Sequence, residues 1–254
     1  MEKCPKLKII CKHGSGLYNI DLPTARRLHI DVTNAPGTNS NAVADLTLGL
    51  MLSVCRGISN ASYRLSKNDC SIFIGRDLCA KKLGLIGFGA IAKQVAARAH
   101  GFSMAISAYD PFINEAPPAF DYVKMSCFDD IVADSDFISI HVPLTKSTRN
   151  LFDAPVLSRM KQGAYLFNTS RGGIVNENAL YEALVTGHLG GAGLDVIENE
   201  GNYASSPLCK LGNVTVTPHM GMYSLEAVNA VSTICANNVI AKFSNQALKN
   251  KVEL

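Results

Sequence analysis

An arginine, a histidine and two glutamates stand where they could do acid–base work on a small anion. Arg171 lies in the run Ser170-Arg171-Gly172-Gly173, where the glycines clear space around a guanidinium that can grip a carboxylate with two parallel hydrogen bonds. His219 follows Thr217-Pro218, and the upstream run DVIENEG offers Glu198 or Glu200 as a carboxylate partner for its ring. A carboxylate beside an imidazole favours the protonated ring, and a ring held that way can give or take a proton. Such a pair suits hydride transfer, in which a nicotinamide carries the hydride and the protein supplies proton, orientation and charge.

The stretch LGLIGFGAIAKQVAARA, residues 83–99, has the layout of a seat for that carrier. Leu83, Leu85 and Ile86 make a short apolar run, Gly87 and Gly89 follow, and Ile91, Val95 and Ala99 recur at helical spacing. Glycines let the backbone approach a pyrophosphate, and the start of the helix offers free N–H groups and a partial positive charge. Ala92 takes the third small position of the pattern. Asp110 lies 23 residues beyond Gly87, at the end of the next strand, where an acidic residue accepts hydrogen bonds from an adenine ribose. Neither Pro111 nor Phe112 could meet a 2′-phosphate, which favours NAD over NADP.

These residues need a scaffold, and the apolar pattern supplies one. Residues 7–11 read as a strand, 24–28 as a helix, HIDVTN as a strand and 34–37 as a turn. Residues 40–56 are helical and apolar nearly all round, as a buried helix is, with Asn39 or Ser40 as N-cap; residues 67–77 read as a linker or long loop. After the glycine turn, strands at 104–108, 136–140, 164–167, 192–194 and 214–216 alternate with helices at 127–133, 154–160, 178–186 and 225–243. That alternation predicts an α/β fold with a doubly wound parallel sheet. Asp110, His141, Asn168, Arg171, Asp195 and His219 all fall just after an apolar strand. The carboxyl ends of the strands form the ligand crevice of such a sheet, so these residues point to one region.

The bulk composition narrows the remaining classes. With 254 residues, 47% hydrophobic and 18% charged, the chain can bury a substantial core. Its net charge of +3 and the absence of any Lys/Arg block longer than a pair argue against a nucleic-acid surface. No apolar run reaches the length of a membrane span, and the N-terminus lacks a signal-peptide layout, so a cytoplasmic location is expected. The eight cysteines show no C-x-x-C pair and no zinc-ligand spacing with histidine; buried reduced thiols are expected, and no metal.

The stretches KHGSGLYNIDL, VTNAPGTNSNAVADLTLGLML, LGLIGFGAIAKQVA, AYDP, SDFISIHVPLT, MKQGAYLFNTSRGGIVNENALYEAL, GHLGGAGLDV and VTPHMG carry a resemblance that runs almost end to end. The chain resembles the D-isomer-specific 2-hydroxyacid dehydrogenases, and most of all their phosphoglycerate dehydrogenase branch. The resemblance implies a Rossmann NAD domain at residues 38–225, a partial flavodoxin-like substrate domain at 1–37, and a C-terminal helix at 226–254 returning to that domain. It implies a catalytic trio of Arg171, Glu200 and His219, which selects Glu200 over Glu198. NAD contacts would fall at Ser15, Gly87, Gly89, Ala90, Ile91, Asp110, Val142, Pro143, Thr169, Ser170, Asp195 and Gly221, with Asp195 on the nicotinamide carboxamide. Lys12, Gly14, Gly16 and Arg171 would hold the substrate. The implied reaction is NAD-dependent oxidation of 3-phosphoglycerate to 3-phosphohydroxypyruvate in serine biosynthesis, with glycerate and hydroxypyruvate as the alternative pair, and the implied assembly is a homodimer. NAD-binding co-repressors and inactive truncated forms fall within the same resemblance.

Several positions depart from the family pattern. An arginine and a glycine of the glycine turn are Ala90 and Ala92, and a glycine near Lys81 is Ala80. The arginine before the GxG substrate turn is Lys12, the aspartate after it is Tyr18, and the proline after the glutamate is Gly201. Family members also begin with β-α units that would precede residue 1, leaving apolar sheet surface here for another chain or subunit to cover.

Overall fold

A computed structural model describes residues 1–253. The chain divides into two units, one of Val43–Gly221 and one of Met1–Ala42 with the segment from Met222 onward.

Seven parallel strands form the sheet of the larger unit: β3 (Lys82–Ile86), β4 (Ala105–Tyr109), β5 (Val123–Met125), β6 (Phe137–Ile140), β7 (Ala164–Asn168), β8 (Leu189–Leu194) and β9 (Val214–Val216). Their order across the sheet is β5-β4-β3-β6-β7-β8-β9. The chain therefore winds outward from β3 in one direction, then crosses back to β3's other side and winds outward again. The strand order reverses between β3 and β6, and a ligand crevice opens at that reversal. Residues along β3 alternate between two cores because successive side chains point to opposite faces. Leu83 and Leu85 join Leu50, Met51 and Val54 of α2 (Ser40–Arg56) and Ala92, Val95 and Ala99 of α4 (Ala90–Gly101). Ile86 joins Ile131 of α5 (Phe128–Asp134), Leu157 of α6 (Ala154–Arg159) and Leu180 of α7 (Glu177–Val185). Burial of such side chains is worth roughly 1.5–3 kcal/mol each. Gly84 admits α5 to the sheet: a Cβ there would fall 2.4 Å from Ile131 and from Ser135.

The helices on this sheet start differently. Cys127, Asp153 and Asn176 cap α5, α6 and α7 with side chains that accept an N–H from the first turn. Gly89, which precedes α4, has no side chain to do so.

The smaller unit pairs β1 (Ile9–Cys11) in parallel with β2 (Asp31–Thr33) and adds α1 (Leu22–Arg27) and α8 (Leu225–Phe243). Ala25, Ile30 and Val32 form its buried centre. Lys242 of α8 and Lys251 both pair with Asp31. Two parallel strands are too few to define a flavodoxin-like strand order.

The sequence pattern does not announce β5, α3 (Ile58–Leu65), which has no buried residue, or the short 3-10 turns such as Pro118–Phe120 and Pro207–Lys210. The cysteine expectation needs correction: Cys55 alone is buried, while Cys4, Cys70, Cys79, Cys127 and Cys209 are exposed. Most of the exposed ones lie in loops, and Cys127 sits at a helix start with its sulfur toward the Asp130 N–H. Among the described residues, no single helix is long and apolar enough to cross a membrane.

Candidate active site

The glycine turn follows β3 at the reversal of strand order. Gly87 has φ +88, and a Cβ there would meet the His141 carbonyl at 2.7 Å and Val142 at 3.0 Å, so only glycine fits. Gly89 is the opposite case: a Cβ there would meet nothing within 4 Å. Gly89 and Ala90 are exposed, and the first turn of α4 has no side-chain cap, so its backbone donors are open to an anion. Asp110 leaves β4 beside this turn. Its two carboxylate oxygens accept the Phe88 and Phe112 N–H groups, each at 2.9 Å. One hydrogen bond per oxygen leaves acceptor capacity for a sugar hydroxyl. Open donors at a helix start, a glycine with free space above it and an acidic residue alongside fit a dinucleotide.

At the end of β6, the His141 ring bonds the Ser139 hydroxyl through Nε2 at 2.9 Å, while Nδ1 has no partner. Burial pushes its pKa down to about 3, so the ring is neutral at ordinary pH. What His141 brings to the crevice is its main chain, packed against Gly87. Val142 and Pro143 continue from it.

The arginine loop leaves β7. Asn168, the last residue of that strand, donates from Nδ2 to the Arg171 carbonyl at 2.8 Å and accepts the Ser170 N–H at 3.0 Å. The Ser170 hydroxyl donates to the Ile140 carbonyl at 2.8 Å, and the Thr169 hydroxyl meets that of Thr47 at 3.1 Å. Arg171 is half-buried, and its guanidinium donates to the Ser170 carbonyl at 2.6 Å. Gly172 lies against the loop after β8: a Cβ would fall 2.2 Å from the Ile197 carbonyl carbon. The half-buried Glu177 accepts the Glu198 N–H, and burial raises its pKa. Glu198 is exposed and makes no contact with His219 among the hydrogen bonds described.

Glu200 reaches the histidine. Its Oε2 lies 2.8 Å from His219 Nδ1. With Nδ1 engaged by the carboxylate, any proton exchange at this ring falls to Nε2. His219 has φ +51, a left-handed conformation uncommon for any residue but glycine. Asp195, at the end of β8, holds the turn in that shape. Its Oδ1 accepts the Thr217 hydroxyl at 2.6 Å and the Met220 N–H at 2.8 Å, and its Oδ2 accepts the Gly221 N–H at 2.8 Å. Its carbonyl accepts the His219 N–H at 2.8 Å.

The remaining predicted residues belong to the smaller unit. Gly14 is buried with φ +128, and its carbonyl accepts the Ala35 N–H at 3.0 Å. The Ser15 carbonyl accepts from Asn34 at 2.8 Å, and Gly16 is half-buried. Lys12 Nζ sits 5.8 Å from the centre of the Tyr18 ring, so the two departures from the family pattern are neighbours.

Within the larger unit, one sheet edge thus carries an open helix start, a guanidinium on a braced loop and a carboxylate–imidazole pair. Comparison with known proteins gives the family of this sheet. Residues 48–221 match the family model described as D-isomer specific 2-hydroxyacid dehydrogenase, NAD binding domain. The chain is 43% identical over 235 residues to the hydroxypyruvate reductase of Thermotoga maritima, covering 91% of this chain and 76% of that one. It is 39% identical over 257 residues to the D-3-phosphoglycerate dehydrogenase of Methanocaldococcus jannaschii, covering 100% of this chain and 49% of that one. The structure of D-lactate dehydrogenase with NAD+ from Lactobacillus jensenii superimposes with a TM-score of 0.88 at 29% identity, covering 100% of this chain and 81% of that one. These relatives come from several branches and single out none of them, the phosphoglycerate branch included. The cofactor of the larger unit is NAD, and the chain belongs to the D-isomer specific 2-hydroxyacid dehydrogenase family.

Proposed function

We propose that this chain is an NAD-dependent D-2-hydroxyacid dehydrogenase, acting on the glycerate–hydroxypyruvate pair ahead of the phosphorylated pair. The observation that carries the reading is the 2.8 Å bond between His219 Nδ1 and Glu200, on the same sheet edge as Arg171 and the open start of α4. Arg171 holds the substrate carboxylate with its guanidinium fork. His219 gives a proton from Nε2 to the C2 oxygen during reduction and takes it back during oxidation. Glu200 fixes the orientation of the ring through its bond to Nδ1. The bound nicotinamide would take the C2 hydride as NAD+ during oxidation and supply it as NADH during reduction. Gly87, Gly89, Ala90, Ile91 and Asp110 hold its adenosine diphosphate portion, and Asp195 and Gly221 stand at the nicotinamide end. Hydroxypyruvate is favoured because the hydroxypyruvate reductase relative is 43% identical and covered over 76% of its length, against 49% for the phosphoglycerate dehydrogenase. A homodimer belongs to the same reading.

The test is NADH oxidation with hydroxypyruvate, phosphohydroxypyruvate, glyoxylate and pyruvate. Turnover is expected to be fastest with hydroxypyruvate. Tight NADH binding with no turnover of any of them would replace the enzyme with an NAD-sensing protein. Arg171→Ala is expected to abolish substrate binding and to leave NADH affinity intact in a calorimetric titration. Equal loss of both would remove the arginine from the carboxylate.

A further inference from the structure

Asn168 is the last residue of β7 and Asp195 the first residue after the adjacent β8, and both are 1% exposed. Neither side chain is left to face a ligand alone. Asn168 holds the arginine loop at two points, the Arg171 carbonyl and the Ser170 N–H. Asp195 holds the histidine turn at three points through its carboxylate and a fourth through its carbonyl. The two are joined directly, since the Asp195 N–H donates to the Asn168 carbonyl at 2.9 Å. A further link crosses at Gly172, pressed against Ile197 in the loop that leads to Glu200. Arginine, glutamate and histidine thus hang on one hydrogen-bonded frame. Such buried networks are worth more intact than the sum of their pairs, because each unpaired member would be left in a low-dielectric interior.

We propose that Asn168 is a positioning residue for both ends of the catalytic set: it fixes Arg171 directly and His219 through Asp195. The proposal rests on the roles given to Arg171 and His219 above. His219 is the sensitive end. A residue with a Cβ keeps φ near +51 only when its surroundings impose it, and here the Asp195 bonds do so. Removing the Asn168 amide frees residues 168–171, and the backbone bond to Asp195 carries the displacement to the turn. Displacements well below a helix turn matter, because reacting groups must be held to within a fraction of an ångström.

The experiment uses Asn168→Ala and Asn168→Asp together. The second keeps the side-chain shape and the acceptor for the Ser170 N–H, and replaces the donor to the Arg171 carbonyl with a carboxylate that accepts only and adds a charge, so it tests the loss of that donor if the alanine variant does not fold. Steady-state kinetics with hydroxypyruvate are expected to show KM raised and kcat lowered, each about tenfold. In parallel, the ring signals of ¹⁵N-labelled histidine are recorded with neither substrate nor cofactor, and His219 is assigned by its loss in His219→Asn. Those signals are expected to move in the Asn168 variants. A raised KM with unchanged kcat and an unmoved His219 signal would overturn the proposal and confine Asn168 to the arginine loop. Should the wild-type chain turn over no substrate, the functional reading fails, while the His219 signals still decide whether the frame transmits. Thr217→Val and Thr217→Ser calibrate the response: valine removes one Asp195 bond and should shift the His219 signal, and serine, which keeps the hydroxyl, should restore it. A valine variant indistinguishable from wild type in that signal would also count against the frame.

Discussion

The turn after β3 and the turn after β9 leave the same edge of the sheet and use their backbone donors in opposite ways. After β3, the helix begins at a glycine with no side chain to cap it, and nothing stands within 4 Å of where a Cβ would be. After β9, the Met220 and Gly221 N–H groups go to the Asp195 carboxylate and the His219 N–H to the Asp195 carbonyl. Open donors suit a turn whose partner arrives from solution, since a ligand can complete them. Closed donors suit a turn that must present one side chain at a fixed angle. The difference separates binding from positioning within one fold, using residues of similar polarity.

The largest effect expected from this contrast is on turnover. His219→Asn should lower kcat by about 100-fold or more, because general acid–base catalysis contributes on that scale, and should leave NADH affinity unchanged in a fluorescence titration. A parallel loss of NADH binding would show that the closed turn also serves the cofactor. Next come the two glycines of the open turn. Gly87→Ala combines φ +88 with a Cβ 2.7 Å from the His141 carbonyl, and should cost about 2 kcal/mol in chemical denaturation. Gly89→Ala should change stability by less than about 0.5 kcal/mol, since no atom lies near the added methyl, yet weaken NADH by about tenfold by standing where the pyrophosphate must approach. Unchanged NADH affinity in Gly89→Ala would break the comparison at its open end.

The smallest effect lies away from both turns. Hydrogen bonds from Lys242 and Lys251 hold the Asp31 carboxyl below its ordinary value of 3.8. A depressed folded-state pKa adds stability that is fully present above the ordinary value and fades as pH falls through the folded one. With both lysines partly exposed, that contribution is about 1 kcal/mol or less. Amide protection factors in α8 should therefore fall below pH 4 in wild type more than in Asp31→Asn, and equal acid responses would remove Asp31 as the anchor.

Most of this architecture could be read from the sequence because it is written in apolar periodicity. The limits of α2, β9 and α8 fall where the pattern put them; Gly57 follows α2 in a left-handed conformation, and the Ser224 side chain caps α8. The family and the NAD domain were legible in motifs spread along the chain. β5 escaped because a three-residue strand with a lysine at its centre has no period to detect. α3 escaped because it buries nothing, and burial is what a hydrophobic pattern records. At the candidate site, strand-end polarity gathers these residues along one sheet edge without separating their uses. Arg171 bonds the carbonyl of its own neighbour, Ser170, and His219 bonds Glu200 across the edge. The His141 ring is tied to Ser139, and Asn168 and Asp195 turn back onto their own loops. Spacing cannot tell a polar side chain that faces outward from one that braces the backbone. The departures at Lys12 and Tyr18 were visible as separate changes, and only the structure makes them one pair.

The strand order has a consequence for how this sheet is made. β3 is paired on one side by β4, which follows it closely in the chain, but its other neighbour is β6 at Phe137–Ile140. During synthesis, one long edge of the central strand stays bare until that segment leaves the ribosome. β3 through Leu83, Leu85 and Ile86 is almost wholly apolar, the kind of edge that recruits a foreign strand. Refolding from dilution should therefore lose yield steeply with protein concentration, and a nascent chain stalled before residue 137 should need a chaperone that one stalled after the emergence of β6 does not.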